Sequence, residues 1–87
     1  MKAVITVIGK DMVGILAKVS TICAEANANV IEVTQSVLQD YFAMIMLVDI
    51  SKMNCGLEQL QETLSHNVND MKITVMHEDI FNSMHRI

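Results

Sequence analysis

Gly9-Lys10-Asp11-Met12-Val13-Gly14-Ile15-Leu16 separates a short β-branched run from a long amphipathic one, and the fold turns on how that junction is read. Before it, Val4-Ile5-Thr6-Val7-Ile8 has the composition of a buried strand, which Gly9 ends. After it, Met12, Ile15, Leu16, Val19, Ile22, Cys23 and Ala26 recur with offsets of three and four. That period places them on one helical face and turns Lys18, Thr21 and Glu25 outward. A glycine-bearing loop that opens onto a helix N-terminus gathers backbone N–H groups at the positive end of the helix dipole. Such a mouth suits a small anion, for example the carboxylate of an amino acid.

Downstream, Asn27 and Asn29 are suited to ending this helix, because Asn tolerates the left-handed backbone region. Ile31, Val33, Gln35 and Val37 alternate with Glu32, Thr34, Ser36 and Leu38, as in a half-buried strand. Gln39-Asp40 is short enough for a hairpin into Tyr41–Ile50. The Tyr41–Val48 run is apolar at successive positions, which predicts a central strand covered on both faces. Ser51–Gly56 reads as a loop, with Asn54 as the N-cap of a second helix marked by Leu57, Leu60, Leu64 and Val68. Lys72–His77 is a fourth strand, and Asp79 opens a helical tail over 79–87 whose Ile80, Met84 and Ile87 fall at i, i+4 and i+7.

One domain therefore spans 1–87. With right-handed crossovers its order predicts an α+β fold, the ferredoxin-like βαββαβ sandwich. A four-stranded antiparallel sheet carries two helices on one face, followed by a short C-terminal helical tail. Two helices cover only one face, yet Ala43–Val48 supplies apolar groups to both. The uncovered face or an edge strand is therefore expected to meet a second copy, giving a homodimer.

Composition excludes several functions. Of 87 residues 52% are hydrophobic and 18% charged, so part of the apolar excess is assigned to a subunit interface. The net charge is -4 and the six Lys+Arg are scattered singly, while aromatic residues amount to 3%. Nucleic acid is not an expected partner. The longest apolar stretch falls far short of the ~20 residues of a membrane helix. No cleavage site follows the N-terminal run, so no targeting segment is read and a cytoplasmic location is expected. Cys23 and Cys55 lack C-x-x-C spacing and read as reduced thiols. His66, His77 and His85 have no cysteine at ligand spacing, so neither metal nor other cofactor is expected. His77, beside Glu78, is read as making an ordinary ion pair or sitting at an interface, and the eight methionines mainly as core filler. No Ser, Cys or Asp is paired by motif with a His, so there is no catalytic candidate and no enzyme is expected.

The segment G-x-D-x-x-G-I-L-A across Gly9–Ala17 and the stretch Ala24-Glu25-Ala26-Asn27-Ala28-Asn29-Val30-Ile31 resemble the ACT domain. So does the element order. This is a small regulatory module that binds amino acids in many metabolic enzymes. The closing Met76–Ile87 segment is similar to the tail of a group of short, stand-alone bacterial ACT proteins. The resemblance implies an amino acid held at a dimer interface, between the first loop of one subunit and the start of the second strand of the other. By position it assigns Asp11, Met12, Val13, Gly14, Ile15 and Asn29 to the ligand site. Backbone N–H groups around Val13–Ile15 would take the carboxylate and Asp11 the ammonium, with Asn29 able to serve either group. Gly9 or Lys10 stands where some serine-binding members carry a histidine, which argues against serine.

Each of these residues also has a purely structural reading. Asp11 suits an N-cap, Gly14 a close approach of helix to sheet, and Asn29 a left-handed cap. Two functions follow. One is a homodimeric regulatory sensor of an amino acid or related small carboxylate. The alternative is a ligand-free dimerisation or interaction module that docks a metabolic enzyme or regulator.

Overall fold

Strand β1 (Lys2–Gly9) runs through the middle of a four-stranded antiparallel sheet in the computed structural model, which describes residues 1–10, 14–68 and 71–84. Its neighbours are β3 (Tyr41–Asp49) and β4 (Met71–His77), while β2 (Asn29–Leu38) lies beyond β3. The order is β2-β3-β1-β4. Directly opposed residues share a face, so the register sorts the side chains. Val33, Met46, Ile5 and Val75 form one row across the inner face, and Gln35, Met44, Val7 and Ile73 the next. Helices α1 (Ile15–Glu25) and α2 (Leu57–Asn67) cover this face. Ile15, Val19, Cys23, Leu60 and Leu64 meet Ile5, Val7, Met44, Met46 and Val48 in one buried cluster. Each fully buried aliphatic side chain there contributes about 1.5–3 kcal/mol.

The ferredoxin-like sandwich is therefore present, with one addition. A third helix, α3 (Glu78–Met84), follows β4 without a break and contacts β1 and β4. It starts at Glu78, one residue before the expected Asp79. Val4 points to the outer face, away from the main cluster, and is only 3% exposed because α3 lies over it. The expectation that β3 is covered on both faces is corrected by its burial pattern. Phe42, Met44, Met46 and Val48 are buried, whereas Ile45 and Tyr41 on the outer face are exposed.

The remaining departures are local. Helix α1 begins at Ile15, and Leu16, placed by periodicity on its apolar face, is exposed. Asn27 alone takes the left-handed role expected of the two asparagines, with φ 60. The N–H of Ala28 donates to the Cys23 carbonyl at 2.8 Å and that of Asn27 to the Ala24 carbonyl at 3.1 Å, which closes the helix in a Schellman motif. Asn29 is instead the first residue of β2, and a register shift between Val30 and Glu32 leaves Ile31 exposed. The hairpin is closed by Gln39 at φ 54. Gly56, not Asn54, is the N-cap residue of α2. Asn54 ties the two helices together: its Nδ2 donates to the Glu25 carbonyl at 3.0 Å and its N–H to the Ala26 carbonyl at 3.0 Å. Met12, expected on α1, and Ile87, expected on the tail, lie outside the described residues.

Asn27→Ala places a Cβ-bearing residue without local side-chain hydrogen bonding in the left-handed region and is expected to destabilise by about 1 kcal/mol, whereas Asn27→Gly should not. Urea denaturation of the three proteins measures the difference.

Candidate functional site

Helix α1 starts at a glycine for a backbone reason. Gly14 has φ 72 and ψ 1, and its carbonyl accepts the Lys18 N–H at 3.0 Å, which makes it the N-cap. Asp11 is therefore not the N-cap residue. Nothing lies within 4 Å of the place a Cβ would occupy on Gly14, so close approach to the sheet is not why glycine stands there. Its left-handed backbone is the reason. A glycine cap also brings no side-chain acceptor to the first turn, and no acidic residue stands in that turn. The N–H groups of Ile15, Leu16 and Ala17 thus have no partner within the helix, and the positive dipole end is uncompensated by the helix's own side chains.

Of the six sequence-predicted site residues, Gly14 and Ile15 are adjacent at this mouth. Ile15 offers only its backbone, because its side chain is in the core. Asp11, Met12 and Val13 lie outside the described residues. Lys10 approaches from the end of β1, its Nζ 5.8 Å from the centroid of the Tyr41 ring. A cation over an aromatic face is held there by the ring quadrupole, at the same end of the sheet as Gly9.

Asn29 lies at the other end. It pairs with Asp49, which pairs in turn with Lys2. Gly9 is seven residues further along β1, about 23 Å at the rise of a strand. One chain therefore does not bring Asn29 to the mouth of α1. Around Asn29 a cleft of about 330 Å³ is lined by Asn27, Asp49, Ser51 and Lys52. The Ser51 hydroxyl donates to Asp49 Oδ1 at 2.6 Å and the Ser51 N–H to the same oxygen at 2.9 Å. These bonds, the hydroxyl's foremost, hold the Asp49 carboxyl below the usual carboxylate range. Sequence reading passed over Asn27, Ser51 and Lys52 as cleft residues. Only the Asp-x-Ser spacing of an Asx-turn carried any signal.

Other candidates resolve plainly. His77 Nδ1 lies 3.7 Å from Asp79 Oδ2, so its acidic neighbour is Asp79 and not the expected Glu78. Both cysteines are free, and burial pushes the Cys23 thiol up to about 11. Among the described residues no three His, Cys, Asp or Glu side chains gather as metal ligands. No described helix is long and apolar enough to cross a membrane.

A four-stranded βαββαβ sheet with two helices on one face defines a ferredoxin-like α+β domain, and comparison with known proteins places it in a family. Residues 2–78 match the ACT domain family, and the chain belongs to it. Within that family it is similar to the UPF0237 proteins. It is 49% identical to the one from Clostridium perfringens, over the whole of both chains. It is 43% identical to the one from Methanopyrus kandleri, over 99% of this chain and 98% of that one. Among solved structures it is similar to an ACT domain protein from Streptococcus pneumoniae, with 36% identity, a TM-score of 0.79 and 98% coverage of both chains. A putative glycine cleavage system transcriptional repressor matches at 26% identity and a TM-score of 0.66, over 85% of this chain and 43% of that one.

Two outcomes test this geometry. Gly14→Ala should destabilise by about 1 kcal/mol even though a methyl group meets no neighbour, because the cost is in φ alone. Ser51→Ala should raise the Asp49 titration midpoint toward the ordinary value, read by carboxyl NMR. A depressed carboxylate stabilises the fold above its unfolded pKa and loses that contribution as pH falls through its folded pKa. The variant should therefore show a weaker pH dependence of stability below the usual carboxylate range.

Proposed function

We propose that this ACT domain is a homodimeric sensor of an amino acid or a related small carboxylate. The ligand carboxylate is taken by the amides at the mouth of α1 in one copy. Its remaining polar groups meet Asn29 of the other. The observation that carries the reading is the division of the site. The amide mouth at Gly14 and the polar cleft at Asn29 occupy opposite ends of one sheet. Two copies related by a two-fold axis across an antiparallel contact reverse those ends and set each mouth beside the other's Asn29.

Electrostatics favour an anion at this mouth. The dipole end carries ~0.5 of a positive charge, no acid in the first turn offsets it, and the Lys10 ammonium lies at the same end of the sheet. The closing group for a zwitterion is Asp11, whose carboxylate would take the ammonium. The signal is a change in the dimer's stability or surface.

A second reading has its own support. Ile80 and Met84 on α3 are 56% and 63% exposed, an apolar pair suited to docking an enzyme or regulator without any ligand. The two readings part in a thermal-shift screen of amino acids and small carboxylates. At 100 times its dissociation constant a ligand adds about 2.7 kcal/mol, or upward of about 10 °C for a domain of this size. Gly14→Ala, which distorts the mouth, should reduce the shift while Ile80→Ser leaves it intact. Absence of any shift at millimolar ligand overturns the sensor reading and favours docking.

A further inference from the structure

Helices α1 and α2 run antiparallel over the sheet, since they follow β1 and β3, which are themselves antiparallel. The start of α1 therefore faces the end of α2. Where they meet, the side chains that could fill the gap are short: Ala17 and Thr21 from α1, Thr63 from α2. A groove of about 440 Å³ remains, with the half-buried Ile22 along it.

Hydrogen bonds within each helix decide what the walls of this groove can still offer. The Thr21 hydroxyl donates to the Ala17 carbonyl at 2.8 Å, and the Thr63 hydroxyl to the Gln59 carbonyl at 2.9 Å. A hydroxyl has one hydrogen, so both threonines meet the groove as acceptors only. Glu25, one turn beyond Thr21, adds a carboxylate. Lys18 supplies an ammonium at the other end, where Asn67 donates one N–H to the Thr63 carbonyl at 2.8 Å and keeps its second. Among the described residues neither Lys18 nor Glu25 has an ionic partner, the one such pair being His77 with Asp79. The groove is thus polarised along its length, with donors at one end, acceptors toward the other and an aliphatic side chain between them. The Cα atoms of Lys18 and Glu25 are about 10 Å apart at the rise of a helix.

We propose that this groove is a second ligand site, separate from the mouth of α1, for a linear ω-amino carboxylate. An alkylammonium has three hydrogens to give and no lone pair, which matches one oxygen each from Thr21, Thr63 and Glu25. The carboxylate at the far end of the chain takes the Lys18 ammonium and the spare Asn67 N–H. The methylenes between lie along Ile22 and Ala17, where they leave water. A chain is needed to reach both ends. A short α-amino acid, whose two charged groups share one carbon, satisfies only one. The site lies within a single copy, so it does not depend on the two-copy reading above.

Heteronuclear NMR of the full chain, titrated with ε-aminocaproate, tests this. Amide and methyl signals of Thr21, Ile22 and Thr63 should move saturably at millimolar probe, while the Ile15 and Leu16 amides at the mouth of α1 hold still. Hexylamine, which lacks the carboxylate, and hexanoate, which lacks the ammonium, should each bind about fivefold more weakly, the factor one exposed ion pair supplies. Lys18→Gln should level ε-aminocaproate with hexylamine, and Glu25→Gln should level it with hexanoate. Thr63→Val keeps the shape of the side chain and removes its oxygen, so it should weaken both amines and leave hexanoate unchanged. Far-UV circular dichroism shows that each variant is folded. Equal binding of the three probes overturns the proposal, as does a Thr63→Val protein that binds them all like the wild type. Movement confined to the Ile15 and Leu16 amides also overturns it, yet leaves the sensor reading of the α1 mouth standing.

Discussion

Strand β1 carries hydrogen-bonded neighbours on both sides and has buried residues on both faces, although Ile8 at its outer end is exposed, and the placement of every other element follows from that. Ala3, Ile5 and Val7 are fully buried beneath α1 and α2, while Val4 is buried beneath α3. No other strand meets all these demands. β3, though paired on both sides, has no buried residue on its outer face, β4 has only β1 beside it, and β2 has only β3. A strand paired on both edges cannot slip without breaking two ladders at once. The β-branched run that the junction at Gly9 terminates is thus the fixed reference of the fold, and the loop that follows it inherits a defined starting point.

Legibility in the sequence tracked the range of the interactions involved. The order of elements, the inner face of β3 and the helical stripe of Val19, Cys23 and Ala26 were readable because periodicity reports burial against a continuous surface. Helix starts were not. Asp11 and Asn54 have the right chemistry for N-caps, but glycines at Gly14 and Gly56 hold those positions. The Asn54 amide is used instead to tie its loop to the end of α1, a contact between residues far apart in the chain. The register shift before Glu32 was equally hidden, since strict alternation through Ile31 gives no sign of it. Of the candidate site, Gly14 and Asn29 were visible as residue types. Their separation along β1 was a matter of register, which composition does not carry.

The same molecule handles polar backbone in three ways according to where it lies. At the start of α1 the first amides have no partner within the helix. At the end of α1 they fold back through a Schellman motif onto carbonyls of the last turn. At β4 the Gln61 carboxamide bonds the Ile73 carbonyl and the Val75 N–H. Among the described residues no buried side-chain nitrogen or oxygen atom lacks a hydrogen-bond partner. Main-chain groups are unchanged by most side-chain substitutions, which makes them durable contact points.

Burial of Cys23 has an experimental use of its own. Its sulfur is sealed between α1 and the sheet, and a thiol raised to about 11 leaves only about one molecule in ten thousand as thiolate at neutral pH. An alkylating reagent therefore reaches it chiefly in those moments when the helix lifts away. The half-buried Cys55 reports instead on the loop before α2. The pair gives an intrinsic clock with two hands, whose rates distinguish opening of the helical layer from breathing of a surface loop.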